Sequence, residues 1–295
     1  MPENNRSLKA ILLLIVLSLI WGTSFILIKQ GLKAFAPTEV ATLRVTAAFL
    51  FLLPVGITRL KGLKLEDYQT LLVSGLLGIF IPAFLFSTAQ TKLDSSVAGV
   101  LNTLSPICTM IVGAIFFGQR FRGWAIIGTL IGLGGTVMLM LSRNDGSVTG
   151  INYYSLLIVA ACLMYGSNLN WVKFRIHGLP ALTITSVSIL LIGPLAITYL
   201  FAFTDFTSKL GVVEGSWASF GFVALLGCMS TAVATYIFNE LVKITTPLFA
   251  SSVTYLMPIV SVGWGLFDGE KLYVGHYIGM TAILGGVYLA NRKRD

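Results

Sequence analysis

Arg44 is the one basic residue that lies well inside an apolar segment of this chain. It follows about seven residues after Pro37, where that segment begins. A charged side chain at this depth usually has a partner or a function, and the planar guanidinium suits bidentate hydrogen bonding to a carboxylate. Two interpretations stay open: Arg44 binds the carboxylate of a small molecule, or it ties helix-end carbonyls together.

Acid-base and metal chemistry have little support in the sequence. The carboxylates fall in predicted loops, at helix ends or in the tails, so none stands at depth beside a base. Cys108, Cys162 and Cys228 are odd in number and lie in apolar segments, so they imply no disulfide framework. His177 and His276 have no cysteine or carboxylate at ligand spacing. We therefore predict no catalytic residue, no metal site and no cofactor, and an enzyme is the least favoured function.

Polar and aromatic side chains on the inward faces of the apolar segments are candidates for binding a small molecule. A Tyr or Trp side chain can equally lie in an interfacial belt, and an Asn side chain can hydrogen-bond a neighbouring helix. The candidate binding residues are Trp21, Ser24, Arg44, Gln90, Asn102, Tyr165, Asn168, Tyr236, Asn239, Thr254 and Tyr255.

The composition places these residues in an integral membrane protein. Hydrophobic residues make up 56% of the 295 positions and charged residues 11%, whereas soluble domains have roughly 25% charged residues. Mean hydropathy is +0.86. A spanning helix needs about 20 apolar residues, so ten such helices with short loops would use nearly the whole chain. The net charge of +8 falls in short loops and tails, which argues against nucleic-acid binding.

Ten apolar segments follow one another along the chain. The first five are expected at 10–28, 37–58, 68–90 with a break at Pro82, 94–117, and from 123 to near 141. The others are expected at 151–172, from 180, at 217–239, and as two more from 246 onward. The basic start of the first segment is similar to a signal peptide, but its apolar run is too long. A polar turn at 144–147 is the predicted boundary between two domains, 1–146 and 147–295.

The two halves repeat each other. Pro106 matches Pro258 at an offset of 152, and Trp-Gly-Thr-Ser at 21–24 matches Tyr-Gly-Ser-Asn at 165–168 at an offset of 144. Val187 stands where the first half has Arg44. Five spans are an odd number, so the second repeat must enter the membrane from the opposite side. We predict an all-α integral membrane protein with ten transmembrane helices built from two inverted five-helix repeats. This plan recurs in secondary transporters, with the substrate site between the halves.

Small and polar residues line one face of the matching fourth and ninth spans. Their spacing of three and four puts them on one helix face, which suits either tight helix contact or a wet cavity. The stripes are Ser95, Gly99, Asn102, Pro106, Thr109 and Gly113, and Pro247, Ser251, Thr254, Pro258, Ser261 and Gly265. The pairs Gly128-x-x-x-Gly132 and Gly275-x-x-x-Gly279 favour close helix contact, either within the bundle or in a homodimer.

The positive charges orient the chain. With the N-terminus in the cytoplasm, 13 of the 20 Lys and Arg residues fall in cytoplasmic segments and 6 in outer ones, leaving Arg44 within the membrane. By the positive-inside rule, both termini are then cytoplasmic. The sequence predicts a multi-pass protein of the plasma (inner) membrane.

The sequence resembles the EamA-type family of the drug/metabolite transporter superfamily in several short motifs. The marks are Trp21-Gly22, Leu43-Arg44, the segments around Pro106 and Pro258, Gly269-Glu270, and the Gly-Gly pairs of the fifth and tenth spans. The resemblance covers nearly the whole chain. The individual motifs are short, and the resemblance is specific because they occur in a fixed order and are repeated in the two halves. The chain departs from the family pattern at Gly118-Gln119, where the family usually repeats Gly-Glu.

The resemblance implies ten helices around a central cavity and transport of small metabolites, commonly export of amino acids or related compounds. Its implied partners are a small-molecule substrate and the lipid bilayer. The alternatives are a membrane channel and a non-transporting membrane subunit. Because no carboxylate or histidine for a proton relay lies at depth, we expect facilitated diffusion, exchange or weak proton linkage.

Overall fold

The computed structural model describes residues 3–93, 95–143, 153–267 and 273–291, and all regular secondary structure within them is helical. The predicted boundary turn at 144–147, the Gly269-Glu270 pair and the basic residues at 292–294 lie outside the described residues. The helices are α1 Glu3–Gly31, α2 Pro37–Thr58, α3 Leu65–Ala89, α4 Ser95–Asn102, α5 Ser105–Phe117, α6 Gly123–Arg143, α7 Ser155–Phe174, α8 Ala181–Ala202, α9 Phe206–Lys209, α10 Ser216–Ile244, α11 Pro247–Ser251, α12 Val253–Phe267 and α13 Val274–Asn291.

Several helices have the length and composition of membrane spans. Among the described residues, 7 helical segments are long and apolar enough to cross a bilayer, and shorter apolar helices occur at Gly123–Met138 and Pro247–Val260. The seven segments are Leu8–Gly31, Pro37–Thr58, Leu65–Ala89, Val97–Phe117, Ser155–Phe174, Ala181–Ala202 and Ser216–Ile244. The prediction of an all-helical membrane protein is confirmed, and the count of ten spans stays a prediction.

Matching helices of the two halves pack against each other. Helix α2 packs on α8, and α6 packs on α13. Helix α1 packs against α10 and α12, while α7 packs against α3 and α5. The contacts of α1 with α10 and α12 in the second half correspond to those of α7 with α3 and α5 in the first half. This correspondence is expected for two repeats related by a twofold axis. The first helix of each half, α1 or α7, therefore lies against the other half.

Glycines let the backbones of α6 and α13 meet. A Cβ atom on Gly135 would lie 2.7 Å from the Gly279 carbonyl oxygen, and one on Gly286 would lie 2.6 Å from the Gly128 oxygen. Small residues that permit this approach are typical of helix contacts in membranes. Gly128 and Gly279 belong to the glycine pairs predicted to favour close helix contact, and each contacts another helix of the same chain. The homodimer stays a prediction.

A buried ion pair fixes the start of α2. Glu39 is 1% exposed, and its carboxylate accepts hydrogen bonds from Lys209 Nζ at 2.8 and 2.9 Å. The same carboxylate accepts the backbone N–H of Ala36 at 2.7 Å, which closes the first turn of the helix. Removing one partner of such a pair costs about 3–5 kcal/mol. The pair therefore ties α9 firmly to α2.

Helices α3 and α10 each contain a stretch of π-helix. The stretches are Leu76–Phe80 and Leu226–Val233. A Leu-Leu-Gly triplet marks the start of both, at 76–78 and 225–227, an offset of 149. The expected break at Pro82 is wrong, because α3 continues through this residue. The wider π turn just before Pro82 accommodates a residue that has no N–H to donate.

The fourth predicted span consists of two helices instead of one. Helix α4 ends at Asn102 and α5 begins at Ser105. Pro106 has no N–H for the carbonyl of Asn102, four residues earlier, and the Ser105 hydroxyl donates to that carbonyl instead, at 2.7 Å. The ninth predicted span is divided at Ser252, while Pro258 lies inside α12. The two prolines match in sequence and differ in their structural effect.

Candidate functional site

Three candidate side chains from the first half meet the π-helical stretch of α10. The Trp21 indole donates to the carbonyl of Ser230 at 2.9 Å. The Ser24 hydroxyl donates to the Ser230 hydroxyl at 2.7 Å. Arg44 donates from Nε and Nη2 to the Thr231 hydroxyl, at 3.1 and 3.0 Å. Two adjacent residues of α10 thus gather a tryptophan, a serine and an arginine from α1 and α2.

The π-helical geometry explains why Ser230 and Thr231 can accept these bonds. A π turn interrupts the regular α-helical ladder, and such turns occur frequently at functional sites. The Thr231 hydroxyl donates to the Leu226 carbonyl, five residues earlier, at 3.5 Å. Because a guanidinium can only donate, the Thr231 oxygen accepts from Arg44 through its lone pairs, and the contact of its proton with the Leu226 carbonyl is weak at this distance. Both Ser230 and Thr231 are 2% exposed.

Arg44 forms no ion pair among the described residues. Glu39, the carboxylate in the same helix, is taken by Lys209. An arginine near the centre of a spanning helix costs about 2.5–3.5 kcal/mol on insertion scales. The acceptor is a hydroxyl within α10, and no carbonyl accepts a hydrogen bond from Arg44 among the described residues. The half-buried guanidinium keeps N–H donors for an anionic group.

Tyr165 is an aromatic neighbour of this cationic group. Tyr165 of α7 lies within electrostatic reach of Arg44, and its ring stacks on Phe86 with a centroid distance of 6.0 Å and an interplanar angle of 26°. The Trp21 ring meets Phe238 edge-on at 4.8 Å. Trp21 and Tyr165 belong to one hydrophobic cluster. A cation beside the Thr231 hydroxyl and the Tyr165 ring has the chemistry to bind a small organic anion.

Asn168 meets the other π-helical stretch. It lies one turn after Tyr165 in α7, and a Cβ atom on Gly78 of α3 would lie 2.9 Å from its Cγ. Its buried Oδ1 has no hydrogen-bond partner in the part of the chain that the structure describes. Asn168 matches Ser24 in the repeat, so each half brings a polar side chain of its first helix to the π-helical stretch of the other half. An unpaired buried acceptor calls for an explanation, and a donor on a bound molecule is one.

Asn239, Tyr255 and Tyr236 lie apart from this cluster. The Asn239 amide donates to the Thr185 hydroxyl at 2.8 Å, and the Tyr255 hydroxyl donates to the Thr129 carbonyl at 2.9 Å. Both side chains are buried, and both form a hydrogen bond to a neighbouring helix. This is the packing role that is the alternative to binding a small molecule. Tyr236 is 36% exposed.

Gln90, Asn102 and Thr254 have partners other than Arg44. Gln90 accepts a hydrogen bond from the Ser95 hydroxyl at 3.2 Å, while its buried Nε2 has no partner among the described residues. The Asn102 amide faces the Met257 sulfur at 3.7 Å. Thr254 donates to a carbonyl three residues earlier at 3.0 Å. Hydrogen bonds do not link these three side chains to Arg44 among the described residues.

The polar stripe on α5 packs against α7. A Cβ atom on Gly166 would lie 2.7 Å from the Thr109 nitrogen. The Asn170 amide donates to the carbonyls of Thr109 and Gly166, at 3.0 and 2.8 Å, and the Gln119 amide donates to Asn170 Oδ1. Tight helix contact therefore describes this part of the stripe. It also gives Gln119 a structural partner.

Comparison with protein families gives a match over both halves. The model described as the EamA-like transporter family matches residues 8–141 and 152–292. The chain belongs to this family. Membership in the EamA-like family confirms the resemblance found in the sequence and points away from an enzyme.

Individual relatives of this EamA-like protein are similar over nearly its full length. "Uncharacterized inner membrane transporter YedA" of Escherichia coli (strain K12) is 26% identical over 94% of this chain and 88% of the relative. "Probable amino-acid metabolite efflux pump" of the same strain is 22% identical over 94% of this chain and 93% of the relative. A solved structure, described only as the crystal structure of a protein, has a TM-score of 0.72 at 20% identity, covering 95% of this chain and 96% of that chain. The protein is thus a multi-pass membrane protein of a transporter family.

Sequence reasoning missed Ser230 and Thr231. Both lie in an apolar segment and carry small hydroxyl side chains, so neither stands out by composition. The signal that marks them is the repeated Leu-Leu-Gly triplet, because Ser230 and Thr231 follow its second copy within one turn.

Proposed function

We propose that this chain is a secondary transporter that exports small metabolites such as amino acids by alternating access between two inverted repeats. The observation that carries the proposal is Arg44, a cation inside a membrane helix with no carboxylate partner among the described residues. A substrate carboxylate would supply the missing charge. The name of the efflux-pump relative supports an amino-acid type of cargo for the family.

The substrate site we propose is centred on Arg44, Trp21, Ser24, Tyr165 and Asn168. These side chains come from α1, α2 and α7, and they meet the π-helical stretches of α3 and α10. Contacts of this kind between the repeats must rearrange when the halves exchange conformations. The remaining candidates, Gln90, Asn102, Tyr236, Asn239, Thr254 and Tyr255, would lie at the margins of that site or in packing roles.

The topology we propose has ten spans, a repeat boundary at 146/147 and both termini in the cytoplasm. The two separate matches to the EamA-like model, which end at 141 and resume at 152, support that boundary. The exchange of matching helix contacts supports two repeats related by symmetry. The distribution of Lys and Arg supports the orientation in the plasma membrane.

A metabolite profile of over-expressing cells tests the function. We expect one class of carboxylate-bearing compounds to accumulate in the medium, and we expect Arg44→Ala to abolish that accumulation at normal protein abundance. Lys33→Ala, which removes an exposed loop cation, is the matched control and should leave export unchanged. An unchanged medium for the wild-type protein, or full export by Arg44→Ala, contradicts the proposal.

A further inference from the structure

We propose that Thr231 is a positioning residue for Arg44: it holds one edge of the guanidinium so that the other edge faces the substrate carboxylate. The inference rests on the proposed function, because it assigns Arg44 to that carboxylate. It adds a residue of α10 that sequence reasoning did not select.

The hydrogen bonds define which edge of the guanidinium is held. Arg44 Nε and Nη2 form one edge of the planar group, and both donate to the single oxygen of Thr231, at 3.1 and 3.0 Å. A guanidinium has five N–H donors in a fixed plane. The adjacent edge, made by Nη1 and the second N–H of Nη2, has no hydrogen-bond partner among the described residues and can form a bidentate bond to a carboxylate.

Burial and close helix packing restrict the movement of Thr231. It is 2% exposed, and its hydroxyl donates to the Leu226 carbonyl at 3.5 Å. The backbones of α2 and α10 approach closely beside it, since a Cβ atom on Gly227 would lie 2.7 Å from the Ala47 Cβ. An arginine fixed in this way loses less conformational entropy when a carboxylate binds.

The symmetry-related positions in the repeats carry neither member of the pair. Val187 stands at the position of Arg44, and Pro82 stands at the position of Thr231, at offsets of 143 and 149. Val187 is fully buried and offers no polar group in place of the arginine. The contact between Arg44 of the first half and Thr231 of the second half therefore has no counterpart at the symmetry-related place, where both members are replaced. This is expected if the two residues act as a unit.

Two measurements on purified full-length protein test the inference. The first is hydrogen exchange of the Arg44 Nε–H in nanodiscs, followed by ¹⁵N NMR and assigned with Arg44→Lys. The second is counterflow of a radiolabelled mixture of L-amino acids in proteoliposomes. The variants are Thr231→Val, which keeps the shape and removes the hydroxyl, and Thr231→Ser, which restores it. Thr46→Val is the matched control, because Thr46 of α2 is buried as Thr231 is, and its hydroxyl has no hydrogen-bond partner among the described residues.

We expect the Arg44 Nε–H to lose its protection from hydrogen exchange in Thr231→Val. In the same variant the amino-acid concentration that half-saturates counterflow should rise about tenfold, which corresponds to about 1.4 kcal/mol. The maximal rate of counterflow should not change. Thr231→Ser should restore both quantities, and Thr46→Val should change neither. Lost protection with an unchanged half-saturating concentration overturns the positioning role alone. Absence of counterflow by the wild-type protein overturns the proposed function, and the inference falls with it.

Discussion

The Gln119 side chain donates a hydrogen bond to Oδ1 of Asn170, 51 positions away in the chain. The amide of Asn170 already donates to the carbonyls of Thr109 and Gly166, at 3.0 and 2.8 Å. Its Oδ1 must therefore receive a hydrogen bond, which a glutamine amide can give and an ionised glutamate cannot. This is a physical reason for Gly118-Gln119 in place of the Gly-Glu pattern of similar proteins.

Gln119→Glu should destabilise the protein by about 1–3 kcal/mol, because a carboxylate would face an oxygen that is left without a donor. Thermal unfolding of the purified variant in detergent measures the loss. Gln119→Leu removes the donor without adding charge and should fall between the wild type and Gln119→Glu. Equal stability of Gln119→Glu and the wild type would show that the Asn170 contact is not needed.

Gly135→Ala and Gly134→Ala should differ sharply although the residues are neighbours. A Cβ atom on Gly135 would lie 2.7 Å from the Gly279 oxygen, whereas a Cβ atom on Gly134 meets nothing within 4 Å. We expect Gly135→Ala to cost about 1–3 kcal/mol by forcing α6 and α13 apart. Gly134→Ala should be neutral or stabilise the helix by up to about 1 kcal/mol. Thermal unfolding distinguishes them, and equal effects would contradict the close contact of α6 and α13.

Hydropathy and internal repetition were enough to predict the class of fold. Apolar runs of about 20 residues have few structures available in a membrane besides helices, so the helices appear where those runs were found. Matching residues such as Trp21 and Tyr165 at one offset predicted the repeats. The π-helical stretches could not be predicted this way, because one added residue per turn leaves composition and hydropathy unchanged.

The candidate site was predictable only in its unusual residues. Arg44 stood out because charge at depth is rare. Ser230 and Thr231 did not, since serine and threonine occur throughout membrane helices and only the three-dimensional contact with α1 and α2 selects them. For the same reason the sequence could not separate Asn239 and Tyr255, which bond neighbouring helices, from side chains facing a substrate.

The loop at 144–149 should be accessible from outside the cell, and the loop at 173–179 should be accessible only from the cytoplasm. The Lys and Arg distribution is the physical reason, because positive loops stay on the cytoplasmic side. Single cysteines in each loop, labelled with a membrane-impermeant thiol reagent in intact cells, measure this. Labelling of the second loop but not the first would contradict the predicted orientation, and labelling of both would contradict the span between them.

The most direct test of the account is competition for counterflow in proteoliposomes, measured with a radiolabelled L-amino-acid mixture. The proposed function predicts saturable counterflow by the wild-type protein and loss of that counterflow in Arg44→Ala. Unlabelled amino acids should compete, whereas their methyl esters should not, because the esters lack the carboxylate that binds Arg44. Equal competition by the esters, flux that rises linearly with concentration, or full counterflow by Arg44→Ala would contradict it.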